Sequence, residues 1–220
     1  MLRVIPLLFS LLVIQCSGYR VLNHSNPLAE YGISTVTVPM FINHSSLKGV
    51  NRYLTTEMIR VLSGYSGLRV LVGEAAGADA VLVGIVSSSG HRHRDFSIGG
   101  SQLPSSAVRQ SRGARQDVHF PTAISYRATL DLYLVKRPTA RDLKLLNSPY
   151  AKFALKSPKI ILHQMFPLSG SYSPVLHEAS TPDSAGKLNF TKTDQVFVNS
   201  MQSMAAATAE HFRQVVLNAF

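Results

Sequence analysis

Clustered arginines are the feature of this sequence that most directly suggests a ligand. Segment 91–119 contains five arginines and only two acidic residues, Asp95 and Asp117. Guanidinium groups bind phosphate and carboxylate through paired, charge-assisted hydrogen bonds, so these arginines are candidate contacts for an anion. A solvated loop that only promotes solubility is the alternative, and the sequence leaves both open. The five residues are Arg92, Arg94, Arg109, Arg112 and Arg115.

The single cysteine, Cys16, ends a hydrophobic N-terminal segment. Arg3 precedes an apolar run from Val4 to Ile14, which is too short to cross a bilayer as a helix and is typical of a secretory signal. Residues 13–16, Val-Ile-Gln-Cys, resemble the bacterial lipoprotein cleavage box, in which the cysteine is acylated. We therefore predict a signal peptide at 1–15, lipidation of Cys16 and a lipid-anchored tether at 16–32. An ordinary signal peptide that contains a cysteine is the alternative.

The residue patterns of common enzymes and metal sites are incomplete. Residues 64–67 (GYSG) miss the nucleophile-elbow spacing by one residue and follow a predicted helix rather than a strand. His91, His93 and His119 lie among arginines, which would repel a metal cation. The 12 acidic residues are scattered, and no glycine-rich loop is followed by Lys-Ser or Lys-Thr. We predict a protein that is not an enzyme and has neither a cofactor nor a metal.

The formal net charge of +10 favours an anionic partner. Nucleic acid, a lipid surface and a phosphorylated glycolipid would each fit this charge. The export signal argues against nucleic acid, as does the lack of aromatic residues interleaved with the basic ones. We therefore expect a membrane or glycolipid partner and no nucleic acid.

A strand followed by a helix begins the folded part of the chain. Residues 35–40 alternate between apolar and polar side chains, which predicts a strand. Because Pro39 donates no hydrogen bond, this part of the strand lies at an edge of the sheet, or the Pro39 nitrogen lies on an unpaired side. Apolar residues then recur at helical spacing up to the stop signal at Ser63-Gly64. Three polar residues are candidate N-caps of this helix. The helical apolar residues are Val50, Leu54, Met58 and Val61, and the candidate caps are Asn43, Ser45 and Ser46.

Further strands and a second helix are predicted downstream. The strands are 68–72, 79–87, 124–135 and 159–166, of which 124–135 alternates most regularly, with one apolar and one polar face. The helix runs from Asp194 to Phe220, with Thr193 or Asp194 as its cap, and its apolar stripe suits packing on a sheet better than lying on a membrane. The pattern predicts one α+β domain at 33–220, with a basic loop at about 91–120.

The order of these features resembles the LPS-assembly lipoprotein family, LptE. The resemblance rests on Cys16, Gly18-Tyr19, the unit 38–62, the segment 78–84 (ADAVLVG), the strand with Tyr126 and the Ala-rich last helix. It implies a two-layer sandwich in which two helices cover a small, mostly antiparallel four-stranded sheet. It also implies an outer-membrane lipoprotein on the periplasmic face, anchored through its acyl chains.

The function implied by the resemblance is a plug for the β-barrel LptD that assists barrel assembly and lipopolysaccharide delivery to the outer leaflet. The five arginines are then the candidate lipopolysaccharide contacts, on charge alone. A lipid-anchored periplasmic adaptor or envelope-assembly factor with a different partner is the first alternative. A secreted hydrolase or metal-dependent enzyme is the second.

Overall fold

Strands and helices account for most of the chain that the computed structural model describes, which is residues 25–73, 77–88, 95–102, 120–139, 141–142, 144, 158–176 and 188–217. A 3-10 turn at Ala29–Tyr31 precedes the first strand. The strands are β1 (Thr35–Val38), β2 (Ile42–His44), β3 (Arg69–Val72), β4 (Ala80–Ser88), β5 (Phe96–Gln102), β6 (Phe120–Lys136) and β7 (Ile160–Tyr172). The helices are α1 (Val50–Leu62) and α2 (Phe190–Val215). The predicted α+β class is confirmed.

The strands form one mixed sheet built around β6. β5 and β4 pair one after the other along one edge of β6, and β7 pairs along the opposite edge. β1 and β2 lie along the far edge of β4, and β3 pairs with β1. The pairs that involve β6 are antiparallel, whereas β1–β3, β1–β4 and β2–β4 are parallel.

The expectation of a mostly antiparallel sheet of four strands is therefore wrong. The described residues contain seven strands in a mixed sheet. After β1 and β2, α1 carries the chain back over one face of the sheet. The strand that follows α1, β3, therefore runs parallel to β1. Of the two alternatives for Pro39, the edge position is wrong, because β1 is paired on both sides. Pro39 lies between β1 and β2 and outside both ladders, which agrees with an unpaired nitrogen.

Both helices pack on one face of the sheet. The apolar residues predicted for the first helix are all buried in α1, and those of β6 form a buried row beneath the helices. Most of the stripe predicted for the last helix is core, as expected, although Val215 is exposed. Among the described residues neither helix has the length and apolar character needed to cross a membrane. The β6 row is Tyr126, Ala128, Leu130, Leu132 and Leu134.

The starts of both helices differ from the prediction. α1 follows Gly49, which has a left-handed φ of 77° and provides no side-chain cap. Asn43 instead accepts a hydrogen bond from the backbone N–H of Ser45, because a polar side chain this close in sequence can form its own turn. α2 begins at Phe190 and is capped by Asn189, whose side chain accepts from the N–H of Lys192. The predicted caps were therefore wrong in both helices.

The opposite face of the sheet has an apolar part as well as the predicted polar part. Val81, Val83, Tyr133 and Val135 form a second buried cluster there. The alternation in β6 identified only one covered face because Ser125, Arg127, Thr129 and Asp131 make its first half polar. One face of β6 is thus buried along most of the strand, and the other only toward its C-terminal end.

A capping box lies just after β6. The backbone N–H of Thr139 donates to Asp142 Oδ2 at 2.8 Å, and the N–H of Asp142 donates to Thr139 Oγ1 at 3.2 Å. Lys159 Nζ also donates to Asp142 Oδ2, at 2.7 Å. The backbone is helical at Arg141, Asp142 and Lys144. Asp142 therefore joins this turn to the start of β7.

Gly84→Ala should lower the free energy of unfolding by about 1–3 kcal/mol, because overpacking strains a close-packed core. A Cβ at Gly84 would lie 2.5 Å from Cδ2 of the buried Phe41 ring. Urea denaturation followed by circular dichroism measures the change. Gly99→Ala is the matched control, since its Cβ would lie 3.9 Å from the nearest atom, the Ala123 carbonyl oxygen. Equal destabilisation by both substitutions would contradict this account of Gly84.

Asp142→Asn should reduce the loss of stability on acidification between about pH 4 and pH 2. Hydrogen bonds from Lys159 and Thr139 lower the pKa of Asp142 from 3.8 to about 2. The carboxylate therefore stabilises the fold above its unfolded-state pKa, and this contribution disappears as the pH falls through the folded-state pKa. Urea midpoints measured across this pH range report the effect. Lys159→Gln should change the slope in the same direction, and a slope unchanged in both variants would refute the assignment.

Candidate ligand-binding surface

The residues that the sequence singled out for lipidation and anion contact lie outside the described residues. They are Cys16, Arg92, Arg94, Arg109, Arg112 and Arg115, and the histidines at 91, 93 and 119 lie outside as well. Chain connectivity still places the arginines with respect to β5. Arg92 and Arg94 come immediately before β5, and the other three arginines lie between β5 and β6. Part of the predicted basic loop is therefore a strand, β5.

An exposed apolar surface lies where β5, β6 and β7 extend together. Ile98 is directly opposite Ile124, which is directly opposite Tyr172 on the next strand. Phe96 lies on the same face, opposite Tyr126. Ile98 is 71% exposed and Phe96 is 40% exposed. We call Phe96, Ile98, Ile124 and Tyr172 the distal apolar surface.

Phe197 of α2 packs beside this surface. Its ring centroid lies 5.1 Å from that of Tyr172, 6.0 Å from that of Phe96 and 5.9 Å from that of Tyr126. Tilted and edge-to-face arrangements of this kind are favourable for aromatic rings. The aromatic cluster therefore fixes the side of the distal apolar surface that adjoins α2, while Ile98 is left open to solvent.

Tyr126 connects the cluster to both neighbouring elements. Ser200 Oγ donates to the carbonyl of Ser171 at 2.9 Å, so the hydroxyl of Tyr126, 2.9 Å from Ser200 Oγ, is the donor in that contact. Burial raises the pKa of Tyr126, which keeps this donor protonated. The ring passes over Gly170, where an added Cβ would lie 2.2 Å from the Tyr126 hydroxyl oxygen. Glycine is therefore required opposite Tyr126.

Asp95 holds the beginning of β5 against the body of the protein. It is 3% exposed, and its Oδ2 accepts hydrogen bonds from Ser46 N, Ser46 Oγ and Ser88 Oγ at 2.7, 2.8 and 3.0 Å. Its carbonyl accepts from the N–H of Arg127 at 2.8 Å. Because Asp95 precedes Phe96, these contacts fix the position at which the distal apolar surface begins.

The distal apolar surface and the start of the described chain lie at opposite ends of β6. Ser25 pairs with Ser66, and Lys136 at the C-terminal end of β6 donates through Nζ to the carbonyl of Tyr31. Ile124 lies toward the N-terminal end of the same strand. At a rise of about 3.3 Å per residue, the segment from Ile124 to Lys136 spans roughly 40 Å. A tether that enters near Ser25 is thus remote from the surface.

Most of the net positive charge also lies outside the described residues. These contain 12 Lys and Arg and eight Asp and Glu, which gives +4 of the +10 net charge of the chain. The segments that adjoin β5 therefore contribute much of the charge that would attract an anion. The body of the domain is comparatively balanced.

A groove of about 540 Å³ lies between α1 and α2. Arg52 lies over the ring of Tyr53, 4.9 Å from its centroid, and donates to the Tyr53 hydroxyl at 3.0 Å. Glu57 on the same wall is paired with Arg60 at 2.7 Å. The groove is open and its charges are largely engaged within the protein, so it is a weaker candidate than the distal apolar surface. Its lining residues are Arg52, Tyr53, Thr56, Glu57, Gln202, Ser203 and Ala206.

The sequence reasoning missed the distal apolar surface because β5 is rich in Gly and Ser. Its sequence, FSIGGSQ, has only two large apolar residues, and they lie in a segment dominated by arginines. The alternation of Phe96 and Ile98 with Ser97 and Gly99 was the available signal. A strand this poor in β-branched residues forms because β6 supplies a long paired edge.

No protein-family model matches the chain, and no curated protein matches it. Among solved structures, it is similar to a candidate lipoprotein from Caulobacter crescentus (TM-score 0.36, 12% identity, covering 82% of this chain and 89% of that one). It is also similar to a DUF330 protein from Xanthomonas campestris (TM-score 0.38, 8% identity, 84% of each chain). A third is rare lipoprotein B from Shewanella oneidensis (TM-score 0.34, 9% identity, 83% and 95%). At these TM-scores and identities, none of the similarities supports a conclusion about this chain.

Proposed function

We propose that the protein is an LptE-type lipoprotein of the outer membrane that plugs an LptD-type β-barrel and helps deliver lipopolysaccharide to the outer leaflet. In this proposal Cys16 carries the acyl chains, and the domain lies on the periplasmic side. The order of sequence features supports the family assignment. The distal apolar surface supports the assignment of lipopolysaccharide as the ligand.

The single observation that carries the ligand assignment is an exposed apolar surface adjoined by arginine-rich segments. Lipopolysaccharide combines acyl chains with phosphate groups, so a ligand of this class would use both parts. Ile98 and Phe96 offer apolar area to acyl chains. The arginines before and after β5 offer bidentate partners to phosphate. A purely anionic ligand would have no use for the exposed isoleucine.

The position of the surface fits a lipid that approaches the anchoring membrane from the periplasm. The tether enters near Ser25, at the end of the sheet where β6 finishes. The distal apolar surface lies about 40 Å along β6 from that end. A site at the far end can receive a ligand that arrives from the periplasm, before it enters the membrane in which the tether is anchored.

Affinity purification of a C-terminally tagged full-length protein from detergent-solubilised envelopes tests the partner. We expect a large outer-membrane β-barrel of the LptD type in near-stoichiometric amount, identified by mass spectrometry. A Cys16→Ser variant controls for recovery that depends only on membrane anchoring. Recovery with a different envelope protein in stoichiometric amount would replace this function by that of a lipid-anchored adaptor. Recovery without any stoichiometric partner would refute the plug.

Lipopolysaccharide binding by the purified protein tests the surface. Replacing the five candidate arginines by Gln should weaken binding about tenfold or more, since one lost charge-assisted pair is already worth about that much. Ile98→Ser should also weaken the binding of lipopolysaccharide. The same substitution should weaken the binding of a ligand without acyl chains by less. The charge-matched control replaces five arginines of the body by Gln. These are Arg52, Arg60, Arg69, Arg137 and Arg141.

Equal weakening by the two sets of five substitutions would show that only net charge matters and would refute the assigned contacts. Lipid A lacking its phosphates should bind the wild type less tightly than intact lipid A does. It should bind the candidate variant and the control variant with equal affinity. Unchanged binding of intact lipopolysaccharide by the candidate variant would likewise overturn the assignment.

A further inference from the structure

An unusual group of side chains lies on the face of the sheet opposite the helices. Asp131 of β6 is directly opposite Met165 of β7, and Tyr133 is directly opposite His163. Because these positions alternate by two along each strand, all four side chains share one face. The imidazole of His163 stacks flat on Tyr133, with centroids 4.5 Å apart and planes 6° apart. His163 and Met165 are exposed, so a solute can reach them.

Asp131 has a buried carboxylate oxygen without a hydrogen-bond donor among the described residues. This atom is Oδ1, and the nearest titratable partner is Nε2 of His163 at 3.8 Å. That separation is too long for a hydrogen bond. An unpaired buried carboxylate oxygen is unfavourable, and a cation placed between it and the imidazole would remove the penalty.

We propose that Asp131, His163 and Met165 form a binding site for a copper ion. Two donors 3.8 Å apart can each lie about 2.1 Å from one ion, with a ligand–metal–ligand angle of roughly 130°. Imidazole and carboxylate ligands bind Cu²⁺ more tightly than they bind the other first-row divalent ions. The thioether of Met165 adds a soft ligand that copper accepts. Solvent completes the coordination on the open side.

Tyr133 is a platform in this site and not a ligand. Its ring instead holds the imidazole of His163 parallel to itself. The described residues contain no group of three or more His, Cys, Asp or Glu suited to a metal, and here a thioether takes the third position.

Titration of the purified full-length protein with CuSO₄, followed by calorimetry and electron paramagnetic resonance, tests the site. The background carries His91→Gln, His93→Gln and His119→Gln, so that those three histidines cannot bind copper. We expect one Cu²⁺ per chain with a single imidazole nitrogen in its coordination sphere. His163→Gln should weaken binding at least tenfold, and Asp131→Asn should weaken it in the same direction.

His211→Gln is the matched control, because His211 is an exposed histidine of α2 whose ring contacts Phe166 on the other face of the sheet. It should leave Cu²⁺ affinity unchanged. Met165→Leu should change the copper resonance spectrum and leave Zn²⁺ affinity unchanged, a readout that loss of folding would not produce. Copper affinity equal in the background protein and in its His163→Gln variant would overturn the proposal, as would an unchanged spectrum in Met165→Leu.

Discussion

The burial of one apolar row of β6 beneath the two helices is the interaction on which the rest of the structure depends. Every second residue from Tyr126 to Leu134 faces the helices and is buried. Full burial of a large apolar side chain contributes about 1.5–3 kcal/mol, so this row fixes which face of the sheet receives α1 and α2. A one-residue slip of β6 would turn the row outward. The register of β4, β5 and β7 follows, because all three pair with β6.

Close packing and two carboxylates join parts of the chain that are distant in sequence. Gly84 and Gly170 leave room for the rings of Phe41 and Tyr126, which no side chain with a Cβ would allow. Asp79 accepts hydrogen bonds from the N–H and hydroxyl of Ser34 and from the N–H of Thr35, and these bonds lower its pKa. Asp95 accepts in the same way at the opposite end of β4. Both ends of β4 are thus held by side-chain acceptors as well as by the sheet.

The sequence predicted those elements whose stability comes from a regular apolar pattern. The helix with Leu54, the strand with Leu130 and the helix with Met204 were all correct in type, because periodicity directly reflects which face is buried. β2 has three residues, and the alternation in β5 covers only two large apolar residues among glycines and serines, so in neither strand is the period long enough to decide the assignment. Their pairing is decided by the partner strand. The distal apolar surface on β5 was missed for the same reason, although the arginines beside it were noticed.

The two ends of the sheet differ in a way that links the fold to the proposed function. At one end Ser25, within the segment predicted as the tether, pairs with Ser66. At the other end β5, β6 and β7 extend past the helix-covered core, so Ile98 stays exposed although β5 is paired with β6 there. Sheet pairing therefore holds apolar side chains in a fixed array without burying them. In the proposed function, this array together with the arginine-rich segments next to β5 in the sequence is what would distinguish an amphipathic ligand from a simple anion.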